Sequence, residues 1–394
     1  MNLSKAKDVD KYIGDILCAI LSIFALIKKV ACPLFYPVFE SKNIKKMLFI
    51  KFWGLGNMVF LMPIFKAIRN HFKDAEIDFL TLSLNRNFMQ TYPHIDSIVS
   101  IDTSTFFKFI TSTIRVLRKI RKKRFDLLVD FEIYVRISAI LSFLSAACFK
   151  VGIAPGRQTR GLFYDAKILY NKNVHITKTY ADLAKKIGVQ ISKIEPIGIS
   201  TTESDERSVQ DFLKKFGIEK DDILVGMHIG SGDNFIGRRW PKHNFVQLAD
   251  LLIKEHNCKL FFTGSAGEKE VVKEALKMFH ENKNVIDTAG QFTTRQLACL
   301  LRKMKLFVSN DTGPLHIASC MGTPVIGLYG PNTPIIYGPL GNKAQVFYKN
   351  LKCSPCITNL NTKTSYCRDF KCMKNITVEE VLEAAKSFLK EWIM

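Results

Sequence analysis

Apolar and polar positions along this chain fall into two separate series of strand-like and helix-like segments. From Lys45 the run Met47 to Phe52 is apolar, a glycine turn follows, Met58 to Phe72 carries apolar residues at helical spacing, and Ile77 to Leu82 is apolar again. Short apolar runs bounded by turns read as buried strands and the longer periodic segment as a helix, giving β-α-β. A further helix begins near Phe106 and ends in Arg115, Arg118, Lys119, Arg121, Lys122, Lys123 and Arg124, after which Phe125 to Val129 reads as the next buried strand. This alternation predicts a parallel sheet flanked by helices.

Residues 190–222 are polar, with Thr201, Thr202, Glu203, Ser204 and Asp205 opening a helix, and a second alternation follows. Ile223 to Ile229, Lys259 to Thr263, Leu306 to Ser309 and Val325 to Tyr329 read as strands; Phe245 to Lys254, Glu268 to Phe279 and Val378 to Trp392 read as helices. The predicted organisation is an N-terminal element at 1–44, one α/β domain at 45–195, a second at 196–375, and a terminal helix at 376–394. A chain of 394 residues exceeds what one core usually supports, in keeping with two domains.

Before the first series lies the apolar run Ile16 to Leu26 and Ile27, interrupted by Ser22 and followed by Lys28, Lys29, Ala31, Cys32, Pro33 and Pro37. It is shorter than the ~20 residues a spanning helix needs. It also lacks a signal-peptide cleavage pattern. Residues 12–39 are therefore expected either to dock at a membrane interface or to pack as a helix on the first domain.

The composition, 47% hydrophobic and 24% charged, is that of a globular protein. Lys and Arg outnumber Asp and Glu by 57 to 36, a net charge of +21, which points to an anionic partner. No zinc-finger spacing, RNA-recognition signature or helix-turn-helix supports nucleic acid, so an anionic membrane surface, a phosphorylated glycolipid or a nucleotide sugar is the better match. The basic run at 115–124 reads either as a solvated helix end beside its negative pole or as an acidic-surface contact.

The most informative stretch is Ser309-Asn-Asp311-Thr312-Gly313-Pro314-Leu-His316. A strand enters a tight turn where Gly313 permits close backbone approach and Pro314 suits a helix start, so free N–H groups and the positive helix end would form an anion site. Together with Gly322-Thr-Pro-Val-Ile326, Tyr329-Gly-Pro331, Gly54-Leu-Gly56 with Pro63, Arg238-Arg-Trp-Pro241, Thr263-Gly-Ser-Ala-Gly-Glu268 and Ala289-Gly290, it resembles the glycosyltransferase family that includes ADP-heptose:lipopolysaccharide heptosyltransferases. The matches run in order across roughly residues 45 to 385.

The resemblance implies the GT-B fold, two Rossmann-like domains facing across a cleft, and inverting transfer of heptose from ADP-heptose to lipopolysaccharide core or a related surface glycan. Transfer of this kind requires no cofactor, because cations and helix N–H groups can stabilise the leaving diphosphate. Arg238 would neutralise the diphosphate, Asp311, Thr312 and Gly313 would hold phosphate through the backbone, His316 would reach sugar or phosphate, and Glu268 would bind a ribose hydroxyl. Family members carry Gly-Asp in the first glycine loop, with the aspartate as base. This chain has Gly56-Asn57, and asparagine cannot take up a proton, so Asp130 or Glu132 at the next strand end is expected to serve instead. The terminal helix, by the same resemblance, sits where such chains cross back to the first domain.

Cys353-x2-Cys356-x10-Cys367-x4-Cys372 has the spacing of a structural zinc or iron site, and branches of the same family that modify autotransporter proteins carry iron on comparable clusters. Reduced thiols and disulfides are the alternatives. The absence of an evident export signal places the ten cysteines in a reducing compartment, the cytoplasm, with the protein peripheral on the inner membrane face. Rival readings are an epimerase on the same fold, a protein-modifying heptosyltransferase, a catalytically silent sugar-nucleotide-binding protein, and nucleic-acid binding on charge alone.

Overall fold

The computed structural model describes residues 3–31, 39, 44–156, 159–232, 235–279, 283–361 and 363–390. The chain divides into two compact units, Met1–Ile194 and Glu195–Met394.

The first unit holds strands β1 (Lys46–Ile50), β2 (Glu76–Leu82), β3 (Ser97–Ile101), β4 (Leu127–Asp130), β5 (Phe149–Ala154) and β6 (Ala166–Leu169), with helices α1 (Leu3–Ala31), α2 (Leu55–His71), α3 (Arg86–Met89), α4 (Phe106–Lys123), α5 (Arg136–Leu144) and α6 (Ile176–Lys185). The sheet is parallel in the order β3-β2-β1-β4-β5-β6. Because chain order reverses direction at β1 and β4, right-handed crossovers put α2 on one face and α4 and α5 on the other. Nearly every β1 and β4 residue is buried, which is why their sequence runs are continuously apolar instead of alternating.

The second unit holds β7 (Leu224–His228), β8 (Lys259–Thr263), β9 (Val285–Asp287), β10 (Leu306–Asn310), β11 (Val325–Tyr329) and β12 (Ala344–Tyr348). Its helices are α7 (Glu203–Lys215), α8 (Lys242–His256), α9 (Lys269–Leu276), α10 (Thr294–Lys303), α11 (Gly313–Cys320), α12 (Pro334–Tyr337), α13 (Lys371–Lys374) and α14 (Val378–Leu389). This sheet is also parallel, in the order β12-β11-β10-β7-β8-β9, and its reversal falls between β7 and β10. Val378, Val381, Leu382, Ala385 and Leu389 of α14 are buried in one core with Leu248 and Leu252 of α8. α14 thus packs within the core of the second unit.

α1 is longer than the apolar run that announced it, and it packs as a helix on the first unit. One side packs on the first unit, where Cys18 and Ala25 are buried with Ala139, Ile140, Phe163 and Tyr164. The other side leaves Ile13, Ile16, Ile20, Ile23, Phe24 and Ile27 exposed. Cys32, Pro33 and Pro37 lie outside the described residues. No helix among the described residues is long and apolar enough to cross a membrane.

Candidate functional site

In open parallel sheets ligands bind beyond the strand C-terminal ends where chain order reverses, and both units place their motifs at that point. In the second unit it lies between β7 and β10. Asn310, fully buried at the end of β10, donates from Nδ2 to the carbonyls of Ile229 and Gly230 at 3.1 and 3.0 Å and accepts the Trp240 N–H on Oδ1 at 2.8 Å. Trp240 is itself buried and donates its indole N–H to Ile376 at 2.9 Å, so the Arg-Arg-Trp-Pro motif is anchored from below. Arg238 donates to the Ser231 carbonyl, and Arg239 Nε to Ser231 Oγ at 3.2 Å.

Glu268 braces the same loop from the β8 side. Its Oε1 accepts the Gly232 N–H at 2.9 Å, and its Oε2 accepts the Ser265 N–H and hydroxyl, both at 2.8 Å. A Cβ on Gly230 would lie 2.0 Å from Glu268 Oε1, so only glycine fits there. Burial raises the Glu268 pKa, but the neighbouring His228 and the Ser265 and Gly232 donors outweigh it and hold the carboxyl down at about 2. Burial in turn pushes His228 below the ordinary histidine range despite Glu268. The carboxylate rests on its N–H and hydroxyl donors. Both oxygens of Glu268, the residue expected at a ribose hydroxyl, are engaged within the protein, and the side chain holds the shape of the loop.

Asp311 is buried with Asn332 Nδ2 2.6 Å from Oδ2, His316 Nε2 3.6 Å from Oδ1 and Arg238 Nη1 3.9 Å from Oδ2. Burial pushes this carboxyl up, yet the His316 ring and the Arg238 guanidinium outweigh it and hold it below its ordinary range. Asp311 therefore steers Arg238 and His316 toward the loop. Arg238 Nε is buried and makes no hydrogen bond among the described residues. Thr312 precedes α11 with its hydroxyl turned back to the Asn310 carbonyl at 3.2 Å and Ser309 Oγ at 3.1 Å, so no side chain caps the helix. With Gly313 first and Pro314 next, that end presents bare N–H groups beside Arg238, an arrangement suited to a phosphate. Arg238, Asp311, Thr312, Gly313 and His316 thus come together in one place.

In the first unit the equivalent point lies between β1 and β4. Glu132 Oε1 accepts the N–H groups of Phe52 and Trp53 at 2.6 and 2.9 Å, and Oε2 pairs with buried Lys51 Nζ at 2.9 Å. Asn85 Nδ2 donates to the Phe52 carbonyl at 2.8 Å. Gly54 has φ 88°, the left-handed region that favours glycine, and leads into α2, whose first turn holds neither a side-chain cap nor an acid. Asn57, in that turn, has a buried Oδ1 without a hydrogen-bond partner among the described residues.

Asp130 does not line this opening. It is fully buried, with Oδ2 accepting from Tyr164 Oη at 2.6 Å and Arg160 Nη2 at 3.1 Å, and Oδ1 accepting the Glu132 N–H at 2.9 Å. Burial raises its pKa against the pull of Arg160 and Tyr164. Asp130, expected as the base, is enclosed and ion-paired here and ties β4 to Arg160 and Tyr164. Glu132 is likewise committed to the glycine loop. The sequence gives no sign of either tie, since both depend on partners some thirty and eighty residues away.

Cys353, Cys356 and Cys367 are exposed or half-buried and Cys372 is buried; none is in a disulfide. Burial pushes the Cys372 thiol up to about 11, with a further upward push from Cys356, Cys353 and Cys367. Among the described residues no three His, Cys, Asp or Glu side chains are placed to hold a metal ion, so the expected zinc or iron site does not fit the residues as they stand. Cys372 instead serves the core of the second unit.

The family model of glycosyltransferase family 9 (heptosyltransferase) matches residues 113–367, well over half of the chain. This chain belongs to that family, and it is a glycosyltransferase. It is 25% identical over 310 residues to the lipopolysaccharide core heptosyltransferase OpsX of Haemophilus influenzae, covering 78% of this chain and 84% of that protein. Among solved structures, the family 9 glycosyl transferase of Veillonella parvula superposes with TM-score 0.75 at 23% identity, over 88% of this chain and 98% of that one. The ADP-heptose lps heptosyltransferase II of E. coli does so with TM-score 0.70 at 20% identity, over 88% and 99%. The fold is GT-B, two Rossmann-like units, as the motifs implied.

Proposed function

We propose that this protein transfers heptose from ADP-heptose, with inversion, to the core of lipopolysaccharide or a related surface glycan. The observation that carries the reading is the meeting of Arg238, Asp311 and the bare start of α11 at the β7/β10 reversal, in a family whose relatives include a lipopolysaccharide core heptosyltransferase and an ADP-heptose enzyme. Arg238 and the α11 N–H groups take the diphosphate, which gains charge as the sugar leaves, so they favour the transition state over the ground state. His316 meets the sugar or phosphate side. Protein groups supply this stabilisation, so transfer needs no added cofactor.

The acceptor belongs to the first unit, at the glycine loop that Glu132 and Asn85 hold in shape. Asn57 orients the attacking hydroxyl but cannot take up its proton, which leaves to solvent water, and this makes proton loss the slow part of the reaction. A glycolipid acceptor accounts for the net charge of +21 and for the apolar outer face of α1, which would lay the enzyme on the inner face of the membrane without crossing it. The protein is accordingly placed in the cytoplasm as a peripheral enzyme, with no role for nucleic acid.

A thermal-shift screen of sugar nucleotides tests the donor. ADP-heptose at about 100 times its dissociation constant should add roughly 2.7 kcal/mol of stability. Stabilisation by UDP-sugars with none by ADP-heptose would overturn the assignment.

A further inference from the structure

We propose that α4 is a second limb of the membrane-docking surface, working with α1 to select anionic bilayers; this rests on the peripheral-membrane reading above. α1 is locked onto α5 by polar contacts as well as by packing. Asp10 accepts the N–H groups of Arg136 and Ile137 at the start of α5, at 3.0 and 2.8 Å, and Asp15 grips the Arg136 guanidinium at 2.7 and 3.1 Å. A Cβ on Gly14 would lie 2.6 Å from Arg136 Cβ, so the helix sits as close as glycine permits. These contacts fix its rotation, and the exposed row of Ile16, Ile20 and Phe24 cannot turn inward.

α4 also contacts α5, where Arg121 donates to the Leu144 carbonyl at 2.8 Å. It buries Val116 and Ile120 and shows a different outer row: Phe107, Ile110 and Ile114 are exposed, and helical spacing continues the row into exposed Arg118. Arg115, Lys119 and Lys122 flank it, all exposed. An apolar stretch running into cations is the pattern of a helix lying in the headgroup region. α1 and α4 both pack against α5 in the first unit, which puts their two outer rows on helices that share a neighbour.

Charge decides among occupants. A second copy of this chain would bring the α4 cations against one another in a protein already at +21, whereas an anionic lipid surface takes the apolar rows and the cations together. Each cation near such a surface strengthens binding by roughly fivefold. Removing three should therefore weaken binding to anionic vesicles by about a hundredfold and leave binding to neutral ones little changed.

The experiment is vesicle flotation of the full chain with phosphatidylcholine alone and with equimolar phosphatidylcholine and phosphatidylglycerol. It compares the unaltered protein, Arg115→Gln/Arg118→Gln/Lys122→Gln on α4, and Ile16→Ser/Ile20→Ser/Phe24→Ser on α1, with melting curves to show that both variants fold. The proposal expects the unaltered protein to prefer anionic vesicles, the α4 variant to lose that preference, and the α1 variant to lose binding to both compositions. An α4 variant that keeps the full anionic preference overturns this inference and leaves the role of α1 standing. If the unaltered protein floats with neither composition and elutes as a dimer, the peripheral reading itself falls and the face belongs to a second copy.

Discussion

Glu132, two residues past the end of β4, and Asn310, the last residue of β10, play the same part in the two sheets, for each sits at or just past the end of the strand beside its unit's first strand and ties down the loop after that first strand. Glu132 does so through the Phe52 and Trp53 N–H groups, Asn310 through the Ile229 and Gly230 carbonyls and the Trp240 N–H. Asn310→Ala would strand three buried backbone groups, each worth about 1–3 kcal/mol when left unpaired. The expected outcome is a loss of roughly 3 kcal/mol or more in chemical denaturation together with weaker donor binding. An unchanged donor affinity would show that the loop is not part of the donor site.

Arg238→Ala should weaken ADP-heptose binding by about ten- to a hundredfold, the range of a lost charge-assisted contact of 1.5–3 kcal/mol. Arg238→Lys keeps the charge and loses the planar fork, so it should fall between. Titration calorimetry distinguishes the three proteins.

Asn57→Asp should raise turnover by up to the ~10²–10⁴-fold of a positioned base and leave donor affinity unchanged, since it acts on the acceptor proton. Asp130→Asn should do something different. It leaves the Arg160 guanidinium buried without its partner, at a cost of about 3–5 kcal/mol, and lowers the melting temperature before it alters chemistry. A stable Asp130→Asn protein with no activity would return the base role to that residue.

Much of the fold is legible in the sequence. β1, β2, β7, β8, β10 and β11 are buried runs bounded by turn residues, and periodicity alone marks them. The edge strands β6 and β12 are half exposed, so their residues carry no continuous apolar signal. α5 escapes a reading by periodicity because Arg136–Leu144 is buried nearly all round under α1, and a helix without a polar face looks like a strand in sequence. At the site the residue types are legible and their orientations are not. Asp130 looks like a catalytic carboxylate and Glu268 like a ribose-binding one, and only the structure supplies Arg160, Tyr164, Gly232 and Ser265 as their partners.

The grip of α1 should depend on pH. Burial raises the Asp10 pKa to about 6 from 3.8, against the pull of the Arg136 and Ile137 N–H groups. The docked state therefore binds a proton more tightly than the undocked one. Its contribution is fully present below pH 3.8 and is lost as pH rises through 6, a change on the order of 3 kcal/mol. Hydrogen exchange of the α1 amides should slow as pH falls from 7 to 5 after correction for intrinsic rates, and Asp10→Asn should remove the dependence. Protection that weakens toward pH 5 would contradict it.

The central claim is tested most directly by incubating the purified protein with ADP-heptose and a heptose-deficient lipopolysaccharide core acceptor, then following released ADP, the acceptor mass and the configuration of the new bond. The account predicts ADP release only when acceptor is present, an acceptor heavier by one heptosyl residue, and an inverted anomeric centre. Tight binding of ADP-heptose with no product on any such acceptor, or conversion of the sugar nucleotide in the absence of acceptor, would contradict it.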